Sequence, residues 1–140
     1  LDKGHVIPAL IRKAHEAQAA GSPSLTVWGT GTPRREFLHV DDAADALVHL
    51  MRVYSEPGHV NVGCGEDISI LELTRMVAAV AGFGGEIVHD LSKPDGTPRK
   101  LLDVTRLKAT GWQPQIGLEA GLADAWRWFV EHQATARLSV

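Results

Sequence analysis

The stretch from Trp28 to Asp42, WGTGTPRREFLHVDD, brings together an indole, a Gly-rich turn, two guanidinium groups and an acidic pair. Arginine's planar fork suits phosphate oxygens, and an indole offers a flat surface for a base or sugar ring. A second Gly/Pro loop, Lys93 to Lys100, adds Arg99 and Lys100. An isolated arginine is more often a solvated surface residue than an anion site. With two basic loops and Trp28, a ring-and-diphosphate site becomes an equal reading. Asp95, in Pro-Asp-Gly, is a turn residue by type, and its carboxylate could also accept from sugar hydroxyls. His5 stands just ahead of a helical pattern. Histidine as a type titrates near neutrality and suits general acid or base work, but a lone histidine is weak evidence and spacing alone favours a non-catalytic residue. Trp126 and Trp128 read as packing residues of the last helix.

The bulk properties narrow the classes. The chain has 140 residues, 44% hydrophobic and 22% charged, with net charge −3. That predicts one globular domain, residues 1–140, and argues against a general nucleic-acid or membrane-surface partner. No apolar run approaches the roughly 20 residues of a membrane span. One cysteine, Cys64, excludes an internal disulfide framework and fits a reducing, cytoplasmic setting. Seven histidines are present, but none is spaced as a ligand pair beside carboxylates, so no metal site is expected. Gly29-Thr30-Gly31 and Gly63-Cys64-Gly65 are fragments of a dinucleotide fingerprint, and neither completes G-x-G-x-x-G at the head of a helix. There is no Y-x-x-x-K. The first residue is Leu1, and a helical pattern follows almost at once, which reads as a chain cut from something longer.

The elements that would position these groups follow from periodicity. Ile7, Leu10, Ile11 and Ala14 predict a helix from about His5 to Ala20, with Pro8 in its first turn and Gly21 as its stop. Leu25 to Trp28 and Glu36 to Val40 read as short strands. Asp41 reads as the N-cap of a helix to about Tyr54, striped by Ala43, Leu47, Leu50, Met51 and Tyr54. His59 to Val62 reads as a strand. Ser69 and Glu72 form a capping box before Leu73, Met76, Val77 and Val80, and Gly82 ends that helix. Ile87 to His89 is a short apolar run, and Lys93 to Lys100 is a loop. Asp103 caps a short helix stopped by Gly111. Leu118, Leu122, Ala125, Trp126 and Phe129 mark a last helix. Helices alternating with few short strands read as α/β or α+β, with too few strands for a complete doubly wound sheet.

HVIPALIRKAHEA, VWGTGTPRREFLHVDDAADA, HVNVGCGEDISILEL and SKPDGTPRKLLDVTRLKATGW together resemble the C-terminal part of the GDP-L-fucose synthase family. These enzymes are extended short-chain dehydrogenase/reductases, and the resemblance covers nearly the whole chain. It implies an α/β substrate-binding portion with the Rossmann half mostly missing, and NADP(H) held mainly by that half. It implies that the intact polypeptide works as a homodimer that epimerises C3 and C5 of GDP-4-keto-6-deoxy-D-mannose and reduces C4. By the same resemblance His5 is the catalytic acid of epimerisation and lies near the cofactor. Lys13, standing where the family often has arginine, would bind substrate with Trp28, Arg35 and Asp95. Arg34 replaces an apolar residue and receives no role. The reducing Ser/Tyr/Lys group and the epimerisation cysteine would lie upstream, Cys64 being in the wrong motif. The 140-residue piece is expected to be inactive by itself. Two other readings stand beside this one: a different sugar-nucleotide epimerase or dehydratase, told apart by UDP preference, and a non-catalytic nucleotide-sugar-binding fragment.

Overall fold

The computed structural model describes residues 5–132. The first helix, α1, is Val6–Ala19 and buries Leu10, Ile11 and Ala14. Pro8 sits in its first turn, and the chain leaves through Gly21 at φ +60°. β1, Ser24–Trp28, alternates as a half-covered strand should, with Leu25 and Val27 inward and Trp28 at its exposed end. Then follow β2 (Arg34–Arg35), α2 (Val40–Val53), β3 (Ile68–Ser69), α3 (Ile70–Ala81), β4 (Glu86–Asp90), β5 (Arg99–Lys100), α4 (Thr105–Ala109) and α5 (Leu118–His132).

The strands form two small sheets. β1 and β4 pair in parallel, from Ser24 opposite Glu86 to Trp28 opposite Asp90. The other sheet has the order β3-β2-β5, with β2 antiparallel to β3 and parallel to β5. The larger core joins α1, β1, α3 and α5 through Leu10, Ile11, Leu25, Leu73, Val77 and Phe129. A satellite core of Ala46, Val104, Leu107 and Trp112 lies under α2 and α4. The two mixed layers give an α/β architecture. No helix among the described residues is long and apolar enough to cross a membrane.

The capping box at α3 forms as read. Ser69 Oγ accepts from the Glu72 N–H at 3.1 Å, and Glu72 Oε2 accepts from the Ser69 N–H at 3.0 Å. Gly82 closes the helix at φ +68°. Asp103 Oδ1 accepts from Thr105 N–H and Oγ–H at 2.9 and 2.6 Å, one residue ahead of the position expected for a cap.

Several expected elements differ. No strand forms over the expected Glu36 to Val40, where Val40 already opens α2; the strand here is the two residues before that stretch, Arg34–Arg35. Beyond it, the Glu36 carboxylate takes the N–H groups of Gly65 (2.6 Å) and Leu102 (2.9 Å), so this segment is tied by a side chain instead of a ladder. The cap of α2 is His39, whose Nδ1 accepts from the Asp41 N–H at 3.3 Å, and Asp41 falls in the first turn. Residues 59–62 form no strand. Val60 and Val62 pack on the satellite core, and Asn61 Nδ2 donates to the Asp103 carbonyl at 3.0 Å. The end of the Lys93 to Lys100 loop becomes β5, and the short run at Ile87 becomes β4. The stripe expected on α2 faces inward only in part: Leu50 packs on the satellite core and Ala43 and Tyr54 are half-buried, while Leu47 and Met51 are exposed and the buried positions are Asp42 and Ala46. Trp126 packs near His15 and Phe129, but Trp128 is exposed instead of packed.

Candidate functional site

A cavity of about 260 Å³ opens between one face of α1, the end of β1, the glycine turn and the Pro94–Gly96 segment. Lys13, Trp28, Arg35 and Asp95 all line it. Lys13 arrives from the second turn of α1, Trp28 from the last position of β1, Arg35 from β2 and Asp95 from the loop between β4 and β5. Residues far apart in the sequence thus meet on one wall, because β1 pairs with β4 and β2 pairs with β5.

The indole carries two ammonium groups. Lys13 Nζ lies 4.5 Å from the ring centroid and Lys93 Nζ 5.3 Å, both within cation–π range. Lys13 Nζ also donates to the Thr26 carbonyl at 3.2 Å. Burial lowers its pKa from the ordinary lysine value, and the nearby Asp90 carboxylate opposes that shift. Asp90 is itself held below the ordinary carboxylate range, chiefly by the hydrogen bond from the Ser92 hydroxyl.

Arg35 is fixed by its backbone surroundings. Nη1 donates to the Arg34 carbonyl at 2.7 Å and the Thr97 carbonyl at 2.6 Å. Those bonds occupy one end of the fork and leave Nε–H and Nη2 without a protein acceptor among the described residues. That is the form in which a guanidinium takes a phosphate.

Asp95 is turned onto the glycine loop. Its Oδ1 accepts from the Thr30 N–H at 2.9 Å and its Oδ2 from the Thr30 hydroxyl at 2.7 Å. Gly29, at φ +70°, leaves the room this requires, since a Cβ there would collide with the Asp95 carboxylate. Asp95 is therefore a loop clasp at the cavity wall, with a lone pair on each oxygen still open to a hydroxyl. His5 is exposed at the head of α1 and makes no side-chain cap bond there. It adjoins the lining residue Val6 but does not itself line the cavity.

Of the four basic residues read as a group, the structure brings only Arg35 to this cavity. Arg34 and Arg99 both turn to Asp67, and Lys100 is exposed on another face, beside Glu36 and Leu102. Thr30, Asp67 and Lys93 were not singled out from sequence. Their partners are distant in sequence, Asp95 for Thr30, Arg34 and Arg99 for Asp67, and Trp28 for Lys93, so local spacing carries no trace of them. Cys64 donates to the carbonyls of Phe37 (3.4 Å) and Glu66 (3.3 Å), and burial pushes its thiol pKa up. It is held as a neutral donor. Neither glycine turn is shaped for a pyrophosphate: a Cβ at Gly29 meets the carboxylate of Asp95, and one at Gly63 meets that of Glu36. A dinucleotide phosphate would meet negative charge in both places, so the described residues do not fit a dinucleotide cradle. Among them, no group of three or more His, Cys, Asp or Glu side chains could hold a metal ion.

Comparison with known proteins gives these features a context. Residues 1–63 match the profile of the NAD dependent epimerase/dehydratase family. The chain is 54% identical over 138 residues to the GDP-L-fucose synthase of Escherichia coli (strain K12), covering 92% of this chain and 43% of that protein. It is 51% identical over 136 residues to the probable GDP-L-fucose synthase 1 of Oryza sativa subsp. japonica, covering 97% of this chain and 42% of the relative. Among solved structures, a GDP-L-fucose synthetase from Naegleria fowleri bound to NADP superposes with a TM-score of 0.88 at 31% identity, over 96% of this chain and 42% of that one. The chain thus spans about two fifths of the length of the relatives it matches. Its resemblance to the C-terminal part of GDP-L-fucose synthases, and to the extended short-chain dehydrogenase/reductase fold, holds along nearly its whole length.

Proposed function

We propose that this chain, the counterpart of the C-terminal two fifths of GDP-L-fucose synthases, supplies the substrate-binding wall of an enzyme making GDP-L-fucose. The observation that carries this reading is the single cavity lined by Lys13, Trp28, Arg35 and Asp95. In it, Arg35 takes the diphosphate of GDP-4-keto-6-deoxy-D-mannose, Trp28 offers its ring, and Lys13 supplies positive charge. Asp95 holds the loop and accepts from a hydroxyl. The 4-keto group acidifies the C–H bonds at C3 and C5, so acid and base groups on either side of the ring suffice for epimerisation. His5 returns a proton to one face.

Reduction at C4 takes NADP(H) in this reading. In this reading that cofactor is held mainly by the part of such enzymes that this chain does not span, with His5 at its border. The working enzyme is read as a cytoplasmic homodimer, and the 140 residues by themselves as inactive in turnover. NADPH oxidation with the keto-sugar by the isolated chain would contradict that last point.

Titration calorimetry with GDP and UDP tests the assignment. GDP is expected to bind more tightly, and a clear UDP preference would overturn the fucose reading. Arg35→Ala should weaken GDP binding by about 1.5–3 kcal/mol, the usual worth of a charge-assisted hydrogen bond. Unchanged affinity in a folded variant would remove Arg35 from the site.

A further inference from the structure

We propose that Asp67, acting through Arg34 and Arg99, is a positioning residue that aims the Arg35 guanidinium into the cavity. The inference rests on the reading of that cavity as a nucleotide-sugar site. Asp67 lies immediately before β3, and its side chain is only 4% exposed. Its Oδ1 accepts from Arg34 Nε at 2.7 Å, and its carbonyl accepts from Arg34 Nη2 at 2.8 Å. Its Oδ2 accepts from Arg99 Nε. One carboxylate therefore holds a residue of β2 and a residue of β5, the same two residues that stand opposite each other in the parallel ladder.

Each of these strands is two residues long. So short a ladder fixes relative position weakly, and the charged bonds at Asp67 carry much of that task. What they fix bears directly on Arg35. The two carbonyls that hold its Nη1 belong to Arg34, in β2, and to Thr97, two residues ahead of β5. If β5 drifts relative to β2, the pair of acceptors no longer fits one nitrogen. Gly96 lies equally close, since a Cβ there would come within 3.0 Å of Arg35 Nη2. The loop is packed directly on the guanidinium, and movement of one moves the other.

Neither Asp67 nor Arg34 is among the residues that line the cavity, and the proposal routes their effect on a ligand through Arg35, whose Nη1 the Arg34 carbonyl holds. Arg34, 43% exposed at its side chain and also 3.6 Å from Glu72, is the milder place to break the link. The test measures GDP affinity by calorimetry for the 140-residue chain and for Asp67→Asn, Arg34→Met, Arg35→Ala and the pairs Asp67→Asn/Arg35→Ala and Arg34→Met/Arg35→Ala, with thermal melts as the check on folding. Asp67→Asn is expected to weaken GDP binding about 5- to 20-fold and Arg34→Met about threefold, with neither adding further loss once Arg35 is alanine. Arg34→Lys, which keeps the charge without the fork, should fall between Arg34→Met and the parent. Full affinity in a folded Asp67→Asn or Arg34→Met chain would overturn the proposal, and so would losses that multiply with that of Arg35→Ala. If Asp67→Asn does not fold, the Arg34→Met pair decides by the same criterion. Should the parent fail to bind GDP, or Arg35→Ala leave binding unchanged, the cavity reading itself falls, and this inference with it.

Discussion

Gly29 sits at φ +70° with its open side toward the Asp95 carboxylate. An alanine there meets two penalties, a left-handed backbone and a collision, and the second cannot be relieved without pulling Asp95 from Thr30. Gly29→Ala should therefore destabilise the chain by about 1–3 kcal/mol and also loosen the loop that carries Asp95. Thermal melting and GDP titration together check this, and a variant matching its parent in both would refute the clasp. Thr30→Val keeps the backbone N–H bond and loses only the hydroxyl, so its effect should be smaller, about 1 kcal/mol. Trp28, Arg35 and Asp95, which the fold brings to one cavity, could be singled out from the sequence because each sits in a distinctive short motif. Thr30 and Asp67 could not. Thr30 meets Asp95 across 65 positions, and Asp67 meets Arg34 and Arg99 across 33 and 32. No local pattern announces such pairs. Arg34 and Arg35 are neighbours of the same type, and only the fold tells the one that holds a carboxylate from the one that faces the cavity.

The elements divide in the same way. α1, α3 and α5 were legible because each buries a long stripe at helical spacing, and α3 because its capping box is written in four residues. β2, β3 and β5 were not, because a two-residue strand has no period to read and exists only through its neighbours. The capping box gives a prediction at this scale. Ser69→Ala removes the acceptor for the Glu72 N–H and should cost about 0.5–2 kcal/mol. It also removes the hydroxyl donor that does most to hold Glu72 below the ordinary glutamate value. A depressed carboxylate contributes stability that is present in full above its unfolded value, about 4.3 for glutamate, and is lost as pH falls through the folded value. The gap in melting temperature between parent and Ser69→Ala should accordingly be widest near neutrality and narrow below about pH 4. A gap constant from pH 7 to pH 3 would contradict this account of Glu72. At α2 the link lies at its start, where the buried Asp42 carboxylate accepts from the N–H groups of Gln115 (3.1 Å) and Ile116 (2.9 Å) and ties the helix to the segment leading into α5.

At the scale of the molecule, α2 leaves much of its apolar surface open among the described residues. Val40 is 72% exposed, Leu47 57% and Met51 85%, with Val48 and Val53 also open. Its N-terminal end borders a second, mainly apolar cavity of about 600 Å³, which reaches Ile7 and Ile11 of α1 and Leu122 and Trp128 of α5. From below the helix is anchored by Ala46 and Leu50 on the small satellite core and by polar ties through Asp42, Asp45 and His49. The sequence wrote a stripe on α2 and gave no sign that much of it faces outward. Periodicity identifies an apolar face without saying what covers it. A face of this kind, larger than scattered single residues, favours association in water. The 140-residue chain should accordingly self-associate as its concentration rises and bind an apolar dye. Leu47→Gln with Met51→Gln should reduce both effects while leaving GDP affinity unchanged, because neither residue lines the nucleotide cavity. Sedimentation velocity over a concentration series, run beside the GDP titration, checks the pair. A parent chain that stays monomeric and takes up no dye would show that this face is satisfied within the chain.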